Sequence, residues 1–181
     1  MNITPTALPE VLLITPKILR DTRGAFWETW NERIGLAAGL PGTWVQDNCS
    51  ISKRDVIRGI HYQLLQPQGK LIRVTNGAVL DVAVDLRRSS ANFGRHVALE
   101  LSAENGLTLY IPVGFGHGFA ALTDDASLAY KVTDYYYPAG ERTIRWDDAD
   151  LAIPWPVATE DAIVSDKDQK GSSLRDAEVF A

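Results

Sequence analysis

One histidine and one lysine have the chemistry and the spacing to remove a proton from carbon and to stabilise the oxyanion that results. His61 is one of three histidines in the chain, and Lys70 follows on a second short alternating run. A strand turns every second side chain to one face, so His61 is expected to share a face with Ile57 and Gly59, and Lys70 with Ile72. A histidine accepts a proton near neutral pH, and an ammonium group stabilises the oxyanion formed when a proton leaves a carbon beside a carbonyl. The pair predicts carbon-acid chemistry, and a structural histidine beside a solvated lysine is the alternative.

Two further side chains have the chemistry to assist that histidine. Tyr130 shares a strand face with Leu128 and Val132, so an apolar interior would take its phenol inside, where it needs a polar partner. Asp168 ends a charged segment, and its carboxylate is suited to bond a ring nitrogen of His61 and stabilise the imidazolium. A packed tyrosine and a solvated loop carboxylate are the alternatives for these two residues.

Several polar side chains are suited to hold a polar ligand. Gln46 and Asn48 fall on one strand face, and Glu28 lies near Arg23 on an alternating run. Arg23 and Arg58 are suited to bind a diphosphate through charge-assisted hydrogen bonds. On a regular strand, Arg58 would face away from His61, because it is out of phase by one residue. A bulge, a bend or a neighbouring subunit is therefore needed to bring Arg58 to the same ligand.

A glycine-rich segment, residues 112–119, carries His117. Small residues let a backbone approach a ligand closely, which predicts a loop that frames a pocket. The alternative is a tight turn between strands with a structurally bonded histidine. The glycines do not follow the spacing of a phosphate-binding loop.

Composition and charge exclude several classes of protein. The chain has 181 residues and a net charge of −5, which predicts one domain over residues 1–181 and no nucleic-acid partner, since a basic surface is lacking. No apolar run reaches the roughly 20 residues of a membrane-spanning helix, so no membrane contact is expected. Cys49 is the only cysteine. With no secretory signal pattern, this predicts a cytoplasmic protein.

Short alternating runs separated by turn residues dominate the chain and predict an all-β fold. Asn76-Gly77 lies between two such runs, and this dipeptide is typical of a β-hairpin. In the second run, the face with Leu80 and Val82 is predicted to be the buried one. Further strands are predicted at Val97–Leu101, Leu107–Ile111 and Leu128–Val132.

Helices are expected in only two places, near Glu32–Ala38 and within Ser172–Glu178. Many short strands at hairpin spacing predict a double-sheet jelly roll, a cupin-like barrel with an enclosed ligand cavity. The polar segment after Pro156 is expected to cross the surface or cover the cavity mouth. Barrel metalloenzymes of this shape have two histidines separated by one residue, whereas His61 is followed by Tyr62 and Gln63. No metal is therefore predicted.

Six motifs occur in order along the chain. They are Arg58-Gly-Ile-His61-Tyr-Gln, Gln68-Gly-Lys70-Leu, Asp81-Val-Ala-Val-Asp85, Gly114-Phe-Gly-His117-Gly-Phe, Tyr130-Lys and Ser165-Asp-Lys-Asp168. Together they resemble the dTDP-4-dehydrorhamnose 3,5-epimerase family over nearly the whole length. The resemblance implies a jelly-roll homodimer that needs no metal and no redox cofactor. It also implies the substrate dTDP-4-dehydro-6-deoxy-D-glucose, on the route to dTDP-L-rhamnose.

The resemblance also implies a role for each site residue. His61 would be the catalytic base with Asp168 as its partner, Tyr130 the acid on the opposite face, and Lys70 the cation that stabilises the enolate. The residues expected to contact the sugar nucleotide are Arg23, Glu28, Gln46, Asn48, Arg58, His117, Tyr136 and Lys167. Since the C4 ketone acidifies the hydrogens on C3 and C5, one base can serve both carbons.

Three other functions are alternatives to this one. A related enzyme would invert only one carbon of a deoxysugar nucleotide. A non-catalytic module would bind the sugar nucleotide without reaction. A metal-dependent cupin oxygenase or isomerase would need metal ligands that the sequence lacks.

Overall fold

The computed structural model describes residues 1–181 and consists mainly of short strands. The strands are β1 (Asn2–Pro5), β2 (Leu12–Thr15), β3 (Leu19–Asp21), β4 (Gly24–Phe26), β5 (Gln46–Ser52), β6 (Val56–Gln63), β7 (Lys70–Asn76), β8 (Ala78–Asp85), β9 (His96–Ser102), β10 (Thr108–Ile111), β11 (Phe115–Ala121), β12 (Ala126–Val132), β13 (Glu141–Thr143) and β14 (Ile163–Val164). The helices are α1 (Glu32–Ala37) and α2 (Asp166–Gln169), with a 3-10 turn at Pro138–Gly140. No helix combines the length and the apolar character needed to cross a membrane.

Two sheets and one hairpin contain all the strands. The first sheet has six strands in the order β1-β2-β10-β7-β12-β5. The second has the order β13-β6-β11-β8-β9, with β14 added parallel to β6. Strands β3 and β4 form a separate antiparallel pair. The prediction of an all-β, double-sheet jelly roll is confirmed, but the two sheets share no strand and so do not close into a barrel.

The predicted hairpin at Asn76-Gly77 is wrong. Strand β7 pairs with β10 and β12 in the first sheet, whereas β8 pairs with β11 and β9 in the second. Gly77 has a φ of +69° and turns the chain from one sheet to the other. A Cβ there would lie 2.1 Å from Thr123 Oγ1, the oxygen that accepts a hydrogen bond from the Ala78 N–H. The dipeptide therefore marks a sharp turn without specifying which strands pair.

The largest apolar cluster lies between the sheets and includes Ile72, Val79 and Phe119. A second cluster lies on the other face of the second sheet, where Val82 packs with Leu174 and further residues of the C-terminal part. Strand β8 is therefore buried on both faces, although the sequence predicted burial of only one. The C-terminal part of the chain crosses the outer surface of this sheet, as expected.

The glycine-rich segment forms β11, a central strand of the second sheet, and the predicted loop is wrong. A Cβ on Gly116 would lie 2.5 Å from Ile60 Cγ2, and one on Gly118 would lie 2.7 Å from Ile60 Cδ1. These glycines let the isoleucine of the neighbouring strand pack directly on the backbone. Strand β11 in turn sets the position of β6, which carries His61.

Of the two predicted helices, only the first is confirmed. Asn31 caps α1 by accepting a hydrogen bond from the Ile34 N–H. The segment Ser172–Glu178 is not helical, because its backbone is bonded to distant partners, such as Asp148 Oδ2, which accepts from the Leu174 N–H. Helix α2 lies just before it and carries Asp168.

Candidate active site

Strand β6 contains a bulge that brings Arg58 and His61 to one face. His61 pairs with His117 of β11, and Arg58 pairs with Phe119, so β6 has one more residue than its partner in this interval. The extra residue reverses the alternation at Arg58, whose Nε donates to Ser52 Oγ of β5 in the first sheet at 3.1 Å, so its side chain lies between the two sheets as that of His61 does. Ile57 packs on the outer face instead, so the predicted shared face of His61 and Ile57 is wrong. Arg58 thus reaches the site through a bulge, and not through a bend or a neighbouring subunit.

His61 and Asp168 form a short hydrogen-bonded pair. Asp168 Oδ1 lies 2.6 Å from His61 Nε2, and Asp168 Oδ2 accepts the Gly59 N–H at 3.2 Å. The Ser165 hydroxyl oxygen accepts the Asp168 N–H at 3.2 Å and so caps α2. A carboxylate on Nε2 assigns the ring proton to that nitrogen, which leaves the lone pair on Nδ1. Nδ1 is therefore the atom that can accept a proton.

The surroundings keep the Asp168 carboxyl ionised. Burial acts to raise its pKa, but the hydrogen bond from His61, the Gly59 N–H and the charge of Lys167 outweigh burial and hold the pKa below its ordinary value. A fixed negative charge next to the imidazole stabilises its protonated form. The pair is thus arranged to act as a base.

Lys70 reaches the site from β7 of the first sheet, on the same face as Ile72. Burial lowers the pKa of Lys70 to about 8, and the charge of Lys167 acts in the same direction. The carboxylates of Asp81 and Glu141 oppose this effect. The lysine therefore remains largely cationic at neutral pH, where it can stabilise an oxyanion.

Tyr130 approaches from the first sheet, opposite His61 of the second. Its strand, β12, places it between Asn48 of β5 and Ile72 of β7. Burial raises the pKa of the Tyr130 phenol; the Arg58 charge acts to lower it and Glu141 to raise it. The phenol is therefore protonated at neutral pH and has a proton to donate.

These groups line one cavity of about 270 Å³ between the sheets. Its walls are formed by Gln46, Asn48, His61, Tyr62, Gln63, Gln68, Lys70, Tyr130, Tyr136 and Glu141. A neighbouring cleft on the other side of His61 contains Arg58, Lys167 and Asp168. Two cationic side chains thus lie beside the cavity, where they can bind an anionic group.

Glu141 also lines the cavity, although no sequence pattern predicts it there. Its Oε2 accepts a hydrogen bond from the Tyr136 hydroxyl at 2.9 Å, and its Oε1 bonds Lys167 Nζ at 2.6 Å. Burial acts to raise the pKa of Glu141, but Lys167 and Tyr136 outweigh it and lower the pKa. The residue starts the three-residue strand β13, which is too short to show an alternating pattern. No signal in the sequence distinguishes it from other glutamates.

His117 lies behind the cavity and is only 7% exposed. Its Nε2 bonds Asp81 Oδ2 at 2.9 Å, and both side chains lie between the sheets. Burial lowers the pKa of His117, with Lys70 and His61 adding to this effect and Asp81 opposing it. His117 is next to His61 across the strand pair, and its contact with a ligand stays a prediction.

Two predicted binding residues do not reach the cavity of their own chain. Arg23 lies at the turn of the β3–β4 hairpin and forms an ion pair with Asp21 at 2.6 Å. Glu28 accepts a hydrogen bond from the Asn31 side chain at 3.0 Å. All the residues of β3 and β4 are exposed to solvent. The structure therefore separates this hairpin from the other candidate residues.

The donor groups for a metal do not converge. His61 and His117 each bond one carboxylate, and no group of three or more His, Cys, Asp or Glu side chains is placed to share an ion. The metal-free site stays a prediction from the sequence. A His–Asp pair and a phenol on facing walls of a cavity between two β-sheets can remove a proton from one face of a carbon and return one to the opposite face, which is what an epimerase, a type of isomerase, requires.

Comparisons with known proteins give the particular family. The family model for dTDP-4-dehydrorhamnose 3,5-epimerase matches residues 5–176, and the chain belongs to this family. A curated relative with that name from Pseudomonas aeruginosa is 48% identical over 182 residues, which cover 99% of each chain.

Two solved structures are also similar along the chain. A dTDP-6-deoxy-D-glucose-3,5-epimerase from Legionella pneumophila, in complex with dTDP-4-keto-L-rhamnose, is 44% identical with a TM-score of 0.93, covering 98% of this chain and 94% of that one. A 3'-monoepimerase from Streptomyces bikiniensis, in complex with dTDP-quinovose, is 35% identical with a TM-score of 0.88, covering 95% of this chain and 87% of that one. The fold is thus common to enzymes that invert one carbon and enzymes that invert two.

Proposed function

We propose that the protein inverts C3 and C5 of dTDP-4-dehydro-6-deoxy-D-glucose and yields dTDP-4-dehydro-L-rhamnose. The observation that carries this proposal is the approach of His61 and Tyr130 to one cavity from opposite sheets. Inversion requires that a proton leaves one face of the carbon and another arrives on the opposite face. A base and an acid on facing walls meet this requirement.

The proposed reaction begins with proton transfer from C3 or C5 to His61 Nδ1. Asp168 stabilises the imidazolium, and the Lys70 ammonium stabilises the enolate oxygen at C4. The Tyr130 hydroxyl then donates its proton to the opposite face of the carbon, and solvent restores the proton balance of both side chains. The C4 ketone supplies the acidity of both carbons, so the proposed chemistry has no redox step.

Cationic and polar side chains around the reacting groups are suited to bind the nucleoside diphosphate part of the substrate. Arg58 and Lys167 lie along the cleft beside His61, where guanidinium and ammonium groups can bind phosphate oxygens. Asn48 and Gln46 line the cavity wall on the first sheet, and Tyr136 lies at its mouth. These positions support the binding roles that the family resemblance implies.

We propose in addition that the protein is a homodimer. The exposed β3–β4 hairpin carries Phe26, which is 71% exposed, and an isolated two-stranded pair is marginally stable in water. Strand β5 is an edge strand of the first sheet, paired with β12 on one side only. Burial of the hairpin against a second copy would cover this apolar surface and offer Arg23 and Glu28 to the partner's cavity. Sedimentation of the purified protein tests this proposal.

Two further proposals concern organisation and location. The two sheets pack around a shared apolar cluster, which supports a single domain over residues 1–181. Cys49 is an exposed free thiol, which supports the reducing cytoplasm as the location. Limited proteolysis and cell fractionation test these two points.

Deuterium exchange tests the proposed reaction. In deuterium oxide, the 4-keto sugar nucleotide should gain label at C3 and C5 in the presence of the protein. The His61→Ala variant should bind the nucleotide but lose exchange at both carbons. The Tyr130→Phe variant should retain exchange and lose inversion, because the base can return a deuteron only to the face from which it took the proton.

The same experiment decides between the proposal and its alternatives. Label at one carbon only would identify a single-carbon epimerase, a candidate favoured by the structural similarity to the 3'-monoepimerase. Nucleotide binding by the unmodified protein without any exchange would identify a non-catalytic binding module. Unchanged exchange in the His61→Ala variant would reject the assigned base.

A further inference from the structure

Gln63 forms hydrogen bonds on both sides of Tyr136. Its side chain is 5% exposed, and its Nε2 donates to the carbonyl oxygens of Tyr135 at 3.2 Å and Gln66 at 2.7 Å. Its Oε1 accepts the Tyr137 N–H at 2.9 Å. Both amide hydrogens and one oxygen lone pair are thus bonded to the backbone. Gln63 lines the cavity, but these bonds leave it little capacity to bond a ligand directly.

Two other glutamines hold the same loop, residues 134–137. Gln46 Oε1 accepts the Tyr136 N–H at 3.1 Å, and Gln68 Nε2 donates to the carbonyl oxygen of Asp134 at 2.8 Å. Gln46 belongs to β5 in the first sheet and Gln63 to β6 in the second. The loop is therefore attached to both walls of the cavity.

Tyr136 is 51% exposed, so packing in the core does not hold its ring. Its position is set by the loop backbone and by the hydrogen bond from its hydroxyl to Glu141. An aromatic ring that is already held in place loses little conformational freedom when a ligand binds against it. The hydrogen bonds to the loop backbone therefore also hold the Tyr136 ring in place beside the cavity.

We propose that Gln63 is a positioning residue of the sugar-nucleotide site that acts through Tyr136. The inference rests on the proposed function and adds a residue that holds the substrate without contacting the reacting carbons. Gln63 places the Tyr136 ring at the cavity mouth and so determines how tightly the sugar nucleotide is held. Its effect should appear in substrate affinity more than in the rate of proton transfer.

The Gln63→Met variant tests the proposal, because methionine has a similar length and cannot form the three hydrogen bonds. We expect about a tenfold rise in KM for the 4-keto sugar nucleotide and in Kd for dTDP, with kcat within about threefold of the unmodified protein. Gln66→Met is the matched control, because this side chain is exposed and has no hydrogen-bond partner. A fall in kcat without a change in KM or Kd would overturn the proposal.

A double-mutant cycle separates this role from a general structural one. In the Tyr136→Leu background, Gln63→Met should cause no further loss of dTDP affinity, because its effect passes through the tyrosine. Additive losses would overturn the proposal. If Gln63→Met does not fold, Gln63→Glu serves in its place, since it keeps the shape and the acceptor for the Tyr137 N–H but removes the amide donor.

Binding of dTDP measured by calorimetry requires no turnover. Failure of the unmodified protein to exchange C3 or C5 hydrogens would therefore reject the proposed function and leave this test in place. The double-mutant cycle for Gln63 and Tyr136, built from dissociation constants for dTDP, therefore tests the positioning role independently of catalysis.

Discussion

The Asp168→Asn substitution tests the electrostatic role of the His61–Asp168 pair. Asparagine keeps the shape of the side chain and an oxygen for the Gly59 N–H, but it removes a negative charge whose oxygen lies 2.6 Å from His61 Nε2. For charge centres about 4 Å apart and an effective dielectric constant of about 20, the attraction between imidazolium and carboxylate is about 4 kcal/mol.

Solvent reduces this value. The His61 side chain is 27% exposed, so we take about 2–4 kcal/mol as the stabilisation that the substitution removes. At 1.36 kcal/mol per factor of ten, this corresponds to a loss of about 30-fold to 1,000-fold in the rate of proton removal.

Deuterium incorporation at C3 and C5, followed by mass spectrometry with saturating substrate, measures this rate. Asp166→Asn is the matched control, because Asp166 lies in the same helix with an exposed side chain and should leave the rate within about twofold of the unmodified protein. Thermal unfolding and dTDP binding show whether each variant is intact. A folded Asp168→Asn variant that binds dTDP and exchanges at the unmodified rate would refute the reasoning.

Two other predictions concern Lys70 and the exposed hairpin. Because burial lowers the pKa of Lys70 to about 8, the lysine loses its proton and its charge as the pH rises through that value, so kcat should fall above about pH 8. A Lys70→Arg variant, which stays charged, should lack this fall in a pH–rate profile, and an unchanged profile would contradict the assignment. Phe26→Asp should shift the sedimentation coefficient from dimer to monomer, because it places a charge on the apolar face of the hairpin. Glu10→Gln, away from the hairpin, should leave the dimer intact, and dimeric Phe26→Asp protein would reject the proposed interface.

Much of the secondary structure could be predicted from local patterns. Alternating apolar residues at 97–101 and 128–132 correspond to β9 and β12, and the segment at Glu32 forms α1. Side-chain alternation and helix capping depend on residues a few positions apart, so one sequence contains the required information. The motifs around His61 and Asp168 likewise identified the family without any coordinates.

The features that assemble the site could not be predicted in this way. The sequence indicated a turn at Asn76-Gly77 but not that the two strands belong to different sheets. Regular alternation predicted that Ile57 shares a face with His61. Because of the bulge in β6, Arg58 lies on that face instead. Glu141 joins the site only because β13 pairs with the end of β6.

The sequence by itself determined the all-β class, most of the strands and the set of reactive side chains. Only the tertiary structure decided which strands pair, where β6 gains its extra residue, and that α2 carries Asp168 to within 2.6 Å of His61. These two residues are 107 positions apart. Their contact depends on the packing of the C-terminal segment against the second sheet, and the periodicity of neighbouring residues contains no information on contacts over such distances.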